Sequence, residues 1–347
     1  MWKKWVLRIG GTLLVVVTVA GTVAYLNREW LIRRAIDGQL AEAADYSFPR
    51  DAEHIRVLLC GTGSPEPSAA AAQACTLVSV GGKMFLFDAG EGATKALTAA
   101  DVPITDVDGV FLTHFHSDHF NGLGTFVNQS WIWGRTRPLD VTGPTGTAEV
   151  VGALNSAYRI DNGFRADNMS DLAATRAAGQ ARATEIEFPD GARSTRVYDQ
   201  DGITIDAHLV EHQPVEPALG YVIGYQGKKV FISGDTKVSP LNLAAMQDAD
   251  LVVHEAYASH LVRRAIPVMR DRGMALEAEV AERTIPYHAD TIALAKQAEE
   301  AHVKHLVLTH LTPYPANFVS RYLFTDGMGD YYHGELTVGQ DGMVITL

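Results

Sequence analysis

Several short apolar runs in this 347-residue chain end in histidine or aspartate, and that recurrence constrains the fold more than any other feature. GVFLTHFHSDH runs into His114, His116, Asp118 and His119; VFISGD ends on Asp235; LVVHE ends on His254 and Glu255; LVLTH ends on His310. Apolar runs of this length read as buried strands. The ends of neighbouring strands are where α/β proteins gather functional groups. Strands come in groups. Ile55–Cys60, Thr76–Val80 and Met84–Asp88 precede a helix near Glu91–Ala99, and a longer run of strands occupies roughly Thr184–Ser233. Turn signals at Asp201-Gly202 and Gln226-Gly227 divide that run. After Leu251 the chain alternates strand and helix, and a hairpin of Glu335–Val338 with Met343–Thr346 is expected to close it. Two sheets covered by helices suit this order better than one parallel sheet. The stretch 155–200, Ala- and Arg-rich at its start, breaks the pattern and reads as a surface insertion or lid.

The residue types at the strand ends point to metal chemistry. His114 and His116 are two apart, so on extended chain they face the same way and can share one ion. Asp118 and His119 are adjacent and diverge, which lets them reach a second ion as the loop turns into a helix. Imidazole with carboxylate suits zinc, and also manganese or iron. His212 in VEHQPVEP and His288 in PYHADT extend the set. Each of these alone reads equally as a hydrogen-bonded core residue, and Asp235 alone as a turn residue or cap. Two close dications need negative charge between them, which Asp118 and Asp235 supply. Together the ions would lower the pKa of a shared water and clamp the oxygens of an ester. His254 and Glu255 read as partners that orient ligands, or as an ordinary buried polar pair. Trp131 and Trp133, in SWIWG after the metal motif, either line a substrate pocket or pack a helix.

Eight segments carry a family resemblance: LLCGTGSPEP (58–67), FLFDAGEG (85–92), THFHSDH (113–119), the His212 segment ending in GYVI, SGDT (233–236), HEAY (254–257), YHAD (287–290) and LTH (308–310). From about Ile55 to Leu347 the chain resembles the metallo-β-lactamase fold hydrolases, above all their ribonuclease Z and arylsulfatase-like branch. The resemblance implies a four-layer αββα sandwich with two zinc ions at its edge. His114, His116 and His212 would hold one ion, Asp118, His119 and His310 the other, and Asp235 would bridge. His288 matches the catalytic histidine that protonates the leaving group in partnership with Asp118. Ribonuclease Z enzymes usually carry a long arm for transfer RNA between the GY and GDT segments. Here only VIGYQGKKVFIS separates Tyr221 from Gly234. The expectation is therefore a dinuclear zinc hydrolase of a small or medium ester, phosphodiester ahead of aryl sulfate and lactone. A ribonuclease Z-type transfer RNA 3′-processing endonuclease is the alternative, and a catalytically silent metal-binding membrane protein is the non-enzyme one. Dimerisation is common in such proteins, but this sequence marks no interface for it.

Charge divides the chain. It carries 29 basic and 41 acidic side chains, a net charge of −12. Residues 1–34 hold six basic groups (Lys3, Lys4, Arg8, Arg28, Arg33, Arg34) and one acid, Glu29, a net of +5 that leaves −17 on residues 35–347. So acidic a body disfavours nucleic acid. Ile9–Leu26 is free of charge, and aromatic residues stand on both sides of it. It reads as a membrane anchor, with a cleaved signal or a buried helix as alternatives. Residues 35–50 then form a linker and 51–347 the hydrolase domain. An anchored domain on the exported side is expected, with secreted or cytoplasm-facing forms as alternatives. Cys60 and Cys75 are either disulfide-bonded, if the body is exported, or two small buried hydrophobes.

Overall fold

The computed structural model describes residues 2–44, 46–50, 52–66 and 70–347; the side chains of residues 2–11, 39 and 41–44 lie outside the description. The chain forms two compact units, Met1–Ser47 and Phe48–Leu347. The first contains helices α1 (Trp2–Leu26) and α2 (Arg28–Ala44). Among the described residues no helix is long and apolar enough to cross a membrane. The expected span starts at Ile9, so its first residues and the basic side chains Lys3, Lys4 and Arg8 lie outside the described side chains.

The second unit is a sandwich of two seven-stranded sheets. One is built from β1 (Arg56–Gly61), β2 (Cys75–Val80), β3 (Lys83–Phe87), β4 (Gly109–Phe111), β5 (Leu139–Gly143) and β6 (Ala181–Glu185). The other contains β7 (Ser194–Gln200), β8 (Ile203–Val210), β9 (Ala218–Tyr225), β10 (Lys228–Ile232), β11 (Leu251–Tyr257), β12 (His305–Thr312) and β13 (Glu335–Val338). The last strand, β14 (Met343–Thr346), returns to the first sheet beside β1. Side chains alternate along the strands between two cores. Val57, Leu59, Val78, Phe85 and Phe87 face the second sheet, while Leu58, Leu77, Met84 and Leu86 face outward. Helices α3 (Ala93–Ala99), α4 (Ser117–Phe120), α5 (Leu123–Ile132), α6 (Thr147–Asn168) and α7 (Ser170–Ala174) follow strands of the first sheet. Of these, α3, α5 and α6 contribute Leu97, Phe126 and Val151 to its outer core. Helices α8 (Pro240–Met246), α9 (Ser259–Asp271), α10 (Ala275–Thr284), α11 (Thr291–Glu300) and α12 (Phe318–Phe324) belong to the second half. Met246, Leu294 and Phe324 close the outer core there. Helix, sheet, sheet and helix thus form four layers, and every apolar cluster lies within Phe48–Leu347.

Two expectations change here. The segments Glu335–Val338 and Met343–Thr346 form strands but no hairpin. β13 pairs in parallel with β12, and β14 pairs antiparallel with β1 in the other sheet. The turn at Asp341 therefore carries the chain between sheets. The segment 155–200 supplies the second half of α6 and the edge strands β6 and β7 of both sheets. It is part of the sandwich.

Cys60 and Cys75 sit on the adjacent strands β1 and β2, both buried, and are joined by a disulfide with Cα atoms 5.0 Å apart.

Candidate metal centre

All seven expected metal ligands converge at one edge of the sandwich. The loop after β4 brings His114 and His116, α4 brings Asp118 and His119, and the loop after β8 brings His212. Asp235 follows β10, and its position depends on Gly234, which has a φ of +59°. A Cβ at Gly234 would stand 2.5 Å from the Leu219 carbonyl oxygen and 2.8 Å from Thr113 Cβ, so no side chain fits that turn. His310 comes from a bulge in β12. Glu255 pairs with Thr309 and Ala256 with Leu311, leaving His310 unpaired with a φ of +47°. A bulge re-aims a side chain that regular pairing would leave along the sheet.

The ligand atoms fall into two neighbouring groups. His114, His116, His212 and Asp235 form one and Asp118, His119 and His310 the other, with the atoms of each group within 4.8 Å of one another. Asp235 lies between them: its Oδ2 is 3.9 Å from His114 Nε2, 3.8 Å from His212 Nε2 and 3.3 Å from His310 Nε2. His119 Nε2 is 3.3 Å from Asp235 Oδ1, but not aligned as a hydrogen bond. His310 Nε2 also meets Asp118 Oδ2 at 3.0 Å.

Surrounding hydrogen bonds decide which ring nitrogens are free. Asp88, at the end of β3, accepts from Thr113 N and Thr113 Oγ1 at 2.8 and 2.7 Å. Having spent its one proton on Asp88, Thr113 Oγ1 can only accept from His114 Nδ1, 3.1 Å away. Asp88 Oδ2 also accepts from His119 Nδ1 at 2.7 Å. The Tyr287 carbonyl accepts from His212 Nδ1 at 3.2 Å. His114, His119 and His212 therefore each turn Nε2 to the centre, where His212 Nε2 lies 3.3 Å from His116 Nδ1. His114 Nε2, His119 Nε2 and Asp235 Oδ1 are buried with no hydrogen-bond partner among the described residues. An orphaned buried polar atom costs about 1–3 kcal/mol. Three aimed at one point, on atoms that zinc accepts, fit divalent cations.

Electrostatics divide the imidazoles into two sets. Burial pushes the imidazoles of His114, His116 and His212 below their ordinary range, leaving them neutral as ligands must be. Burial acts the same way on His119 and His310, but Asp235 and the other carboxylates outweigh it, raising His119 strongly and His310 to about 9. Burial opposes ionisation of Asp235, yet His310, His119 and His114 hold it well below the usual carboxylate range.

His288 lies beside the centre, within reach of Asp235 and His310. Its hydrogen bond runs from Nδ1 to Glu255 Oε1 at 2.9 Å, whereas Asp118 is bonded to His310. Glu255 is thus the hydrogen-bond partner that orients His288. The same Glu255 oxygen accepts from Thr236 N at 2.7 Å, tying the Asp235 turn to His288. Burial would lower the His288 pKa, but Glu255 outweighs it and raises it. His254 and Glu255 separate because successive strand residues face opposite sides. His254 packs near Phe231 in the outer core, beside Asn242, which donates to Thr236 Oγ1.

Trp131 corrects the pocket reading. It is fully buried against Leu172 and Ala178, and its indole donates to Thr175 Oγ1 at 3.2 Å. The apolar face of α5 turns inward there. Trp133, at the end of α5, is 71% exposed. Asp88 and Thr113, hydrogen-bonded to the imidazoles of His119 and His114, stand outside the site expected from the sequence. Their signal was the same one used elsewhere, a polar residue closing an apolar strand.

Residues 55–310 match the protein family described as "Anti-Pycsar protein Apyc1". A ribonuclease Z of Mycobacterium sp. (strain KMS) is 36% identical over 261 residues, covering 75% of this chain and 85% of the relative. The metallo-β-lactamase fold protein YhfI of Bacillus subtilis superposes with a TM-score of 0.62 at 19% identity, covering 85% of this chain and all of that one. Human tRNase Z, short form, gives 0.59 at 21%, covering 84% and 98%. With the fold and the centre alike in place, the chain belongs to the metallo-β-lactamase fold hydrolases, in their ribonuclease Z branch.

Proposed function

We propose that this hydrolase cleaves a phosphodiester bond with two zinc ions, manganese or iron being the alternatives, held by the ligand sets that meet at Asp235. The observation that carries this is the convergence of His114 Nε2, His119 Nε2 and Asp235 Oδ1 as buried, unpartnered atoms. When bound, the ions would supply Lewis acidity and a nucleophile at neutral pH. Asp118 and Asp235 offset their charge. Asp88, Thr113 and the Tyr287 carbonyl hold the imidazoles in the ligand tautomer. His288 keeps Nδ1–H on Glu255 and turns Nε2 toward the centre, where it can hand a proton to the leaving oxygen.

The curated relatives favour RNA as the substrate and a ribonuclease Z-type endonuclease as the activity. They move the preference away from the small ester expected from the missing arm and the acidic body. A small diester is the second reading, and two observations favour it. β9 and β10 are joined by the two residues Gln226 and Gly227, where an arm for transfer RNA is expected. The Cys60–Cys75 disulfide suits an oxidising compartment rather than the site of transfer RNA maturation. The anchor reading belongs with this second one. It rests on the succession Leu13, Leu14, Val15, Val16 and Val17 exposed on α1, although no described helix is long and apolar enough to cross a membrane.

A substrate panel tests both readings: aryl phosphodiester, aryl sulfate, lactone, β-lactam and pre-tRNA, each with and without chelator. Chelator-sensitive cleavage of a phosphodiester, in RNA or in the aryl compound, is expected. Turnover of only the sulfate or lactone would overturn the reaction class. Metal binding with no turnover of any substrate would favour the non-enzyme alternative.

A further inference from the structure

The turn that carries the chain from one sheet to the other also reaches the metal centre. Between β13 and β14, Asp341 meets the loop that follows β1, residues 62–74, of which 62–66 and 70–74 are described. Its Oδ1 accepts from Thr62 N at 2.9 Å and from Thr62 Oγ1 at 2.8 Å, and its Oδ2 accepts from Ala72 N at 2.6 Å. One carboxylate thus clamps both ends of that loop. Hydrogen bonds to an ionised acceptor are roughly twice as strong as neutral ones. The turn is itself seated on the strands. Gly339 N donates to the Leu308 carbonyl at 2.8 Å, and Gly342 N to the Leu59 carbonyl at 2.8 Å. Asp341 is therefore fixed from its own side, and the loop is what it holds.

Each end of the clamped loop leads to ligands of the same group. At the first end, the Thr62 carbonyl accepts from Leu311 N at 2.9 Å. Leu311 directly follows His310, so Thr62 anchors the chain as it leaves the bulge that aims His310. At the second end, Gln73 N donates to the Glu91 carbonyl at 2.9 Å and Gly90 N to the Ala74 carbonyl at 2.9 Å. The neighbouring Ala89 N donates to the His119 carbonyl at 2.8 Å. Packing there is close. A Cβ at Gly90 would stand 2.2 Å from the Asp118 carbonyl oxygen and 2.7 Å from Gln73 Cβ, so Gly90 is pressed between the loop and the turn that bears Asp118 and His119. Asp118, His119 and His310 are the three members of one ligand group. The other group takes its hold elsewhere. The His212 ring is bonded to the Tyr287 carbonyl and its own carbonyl to Val215 N at 3.0 Å, while His114 meets Thr113 beyond β4.

We propose that Asp341 is a positioning residue that holds Asp118, His119 and His310 in place for one of the two metal ions, an inference that rests on the two-ion reading above. It acts through the loop after β1 and not by contact with an ion. Zinc titration of the metal-free, full-length protein against a chelating dye tests it. The parent should take up two equivalents. D341A should hold one at the parent's affinity and bind the other at least about tenfold more weakly. D341N keeps an acceptor for Thr62 but turns an amide NH2 toward Ala72 N–H, so its second affinity should fall between those of D341A and the parent. It carries the same comparison if D341A does not fold. T62V, which removes only the Oγ1 bond, should give the smallest shift. A role confined to overall stability would lower the melting temperature and leave both affinities unchanged, or weaken them alike. Either pattern in D341A and D341N, beside a parent that binds two ions, would overturn this proposal and leave the two-ion reading standing. A parent that takes up no zinc would overturn both.

Discussion

Two buried aspartates stand at opposite ends of the neighbouring parallel strands β10 and β11, and they are treated in opposite ways. Asp250, at the start of β11, is closed off by its own chain. It accepts from Lys304 Nζ at 2.8 Å, Lys228 Nζ at 3.4 Å and Lys229 N at 2.9 Å. Asp235, at the far end of β10, is surrounded by imidazoles at 3.3–3.9 Å and keeps Oδ1 without a hydrogen bond. Covalent lysine charges complete one site. In the other, the positive charge facing Asp235 comes from imidazoles, His119 and His310 foremost, whose protons arriving ions can displace. Burial alone therefore does not identify a functional carboxylate; unsatisfied burial amid ligand nitrogens does.

The strongest way to break this contrast is Asp235→Ala. Loss of the shared carboxylate should abolish binding of both metals, measured by metal content after zinc reconstitution. The rate should fall on the order of 10³-fold or more, since several kcal/mol of charge stabilisation go with the ions. Full activity with two equivalents of zinc would remove the distinction between the two aspartates. His288→Ala should fall by about 10²-fold or more on substrates with poor leaving groups, while the metal content stays that of the parent. An unchanged rate on an alkyl diester would take the general-acid role away from His288. Next is Asp88→Asn, which removes the acceptor for His119 Nδ1–H and Thr113 Oγ1–H. Zinc affinity should drop about 10–100-fold, read by competition with a chelating dye. An affinity equal to the parent's would show that the tautomers are fixed by something other than Asp88.

What could be read from the chain follows from how strongly each feature is buried. Asp235 follows β10, and His254 and His310 lie within β11 and β12; all three strands are central, so the apolar runs that lead to these residues are long and their placement is legible. β6 and β7 are edge strands whose residues are mostly half-buried or exposed. Their weak apolar signal made a structural segment look like an insertion. β13 and β14 showed the alternation and turn of a hairpin, but nothing local tells that two strands joined by a turn will enter different sheets. Nothing local marks the role of Asp88, because its partners Thr113 and His119 lie 25 and 31 residues away. Trp131 and Trp133 are two apart on a helix and so point to different sides. No composition argument separates the buried one from the exposed one.

The smallest expected effect sharpens the contrast from the structural side. Asp250→Asn should leave metal content and turnover unchanged, because its carboxylate lies at the opposite strand end from the ligands. It should lower stability only modestly, because Lys304 and Lys228 are exposed and water replaces the carboxylate charge they lose, seen as a slightly lower melting point. Burial would raise the Asp250 pKa, but Lys304, the Lys229 N–H and Lys228 outweigh it, so its folded-state value is depressed. The sign follows from linkage. The stabilisation is fully present above the unfolded-state pKa of about 4 and is lost as pH falls through the depressed folded value. Melting of the parent and of Asp250→Asn should therefore differ at pH 7 and draw together as the medium is acidified below pH ~4. A gap that persisted at low pH would mean that Asp250 acts through packing rather than charge. A loss of zinc in Asp250→Asn would mean that the two aspartates are not independent.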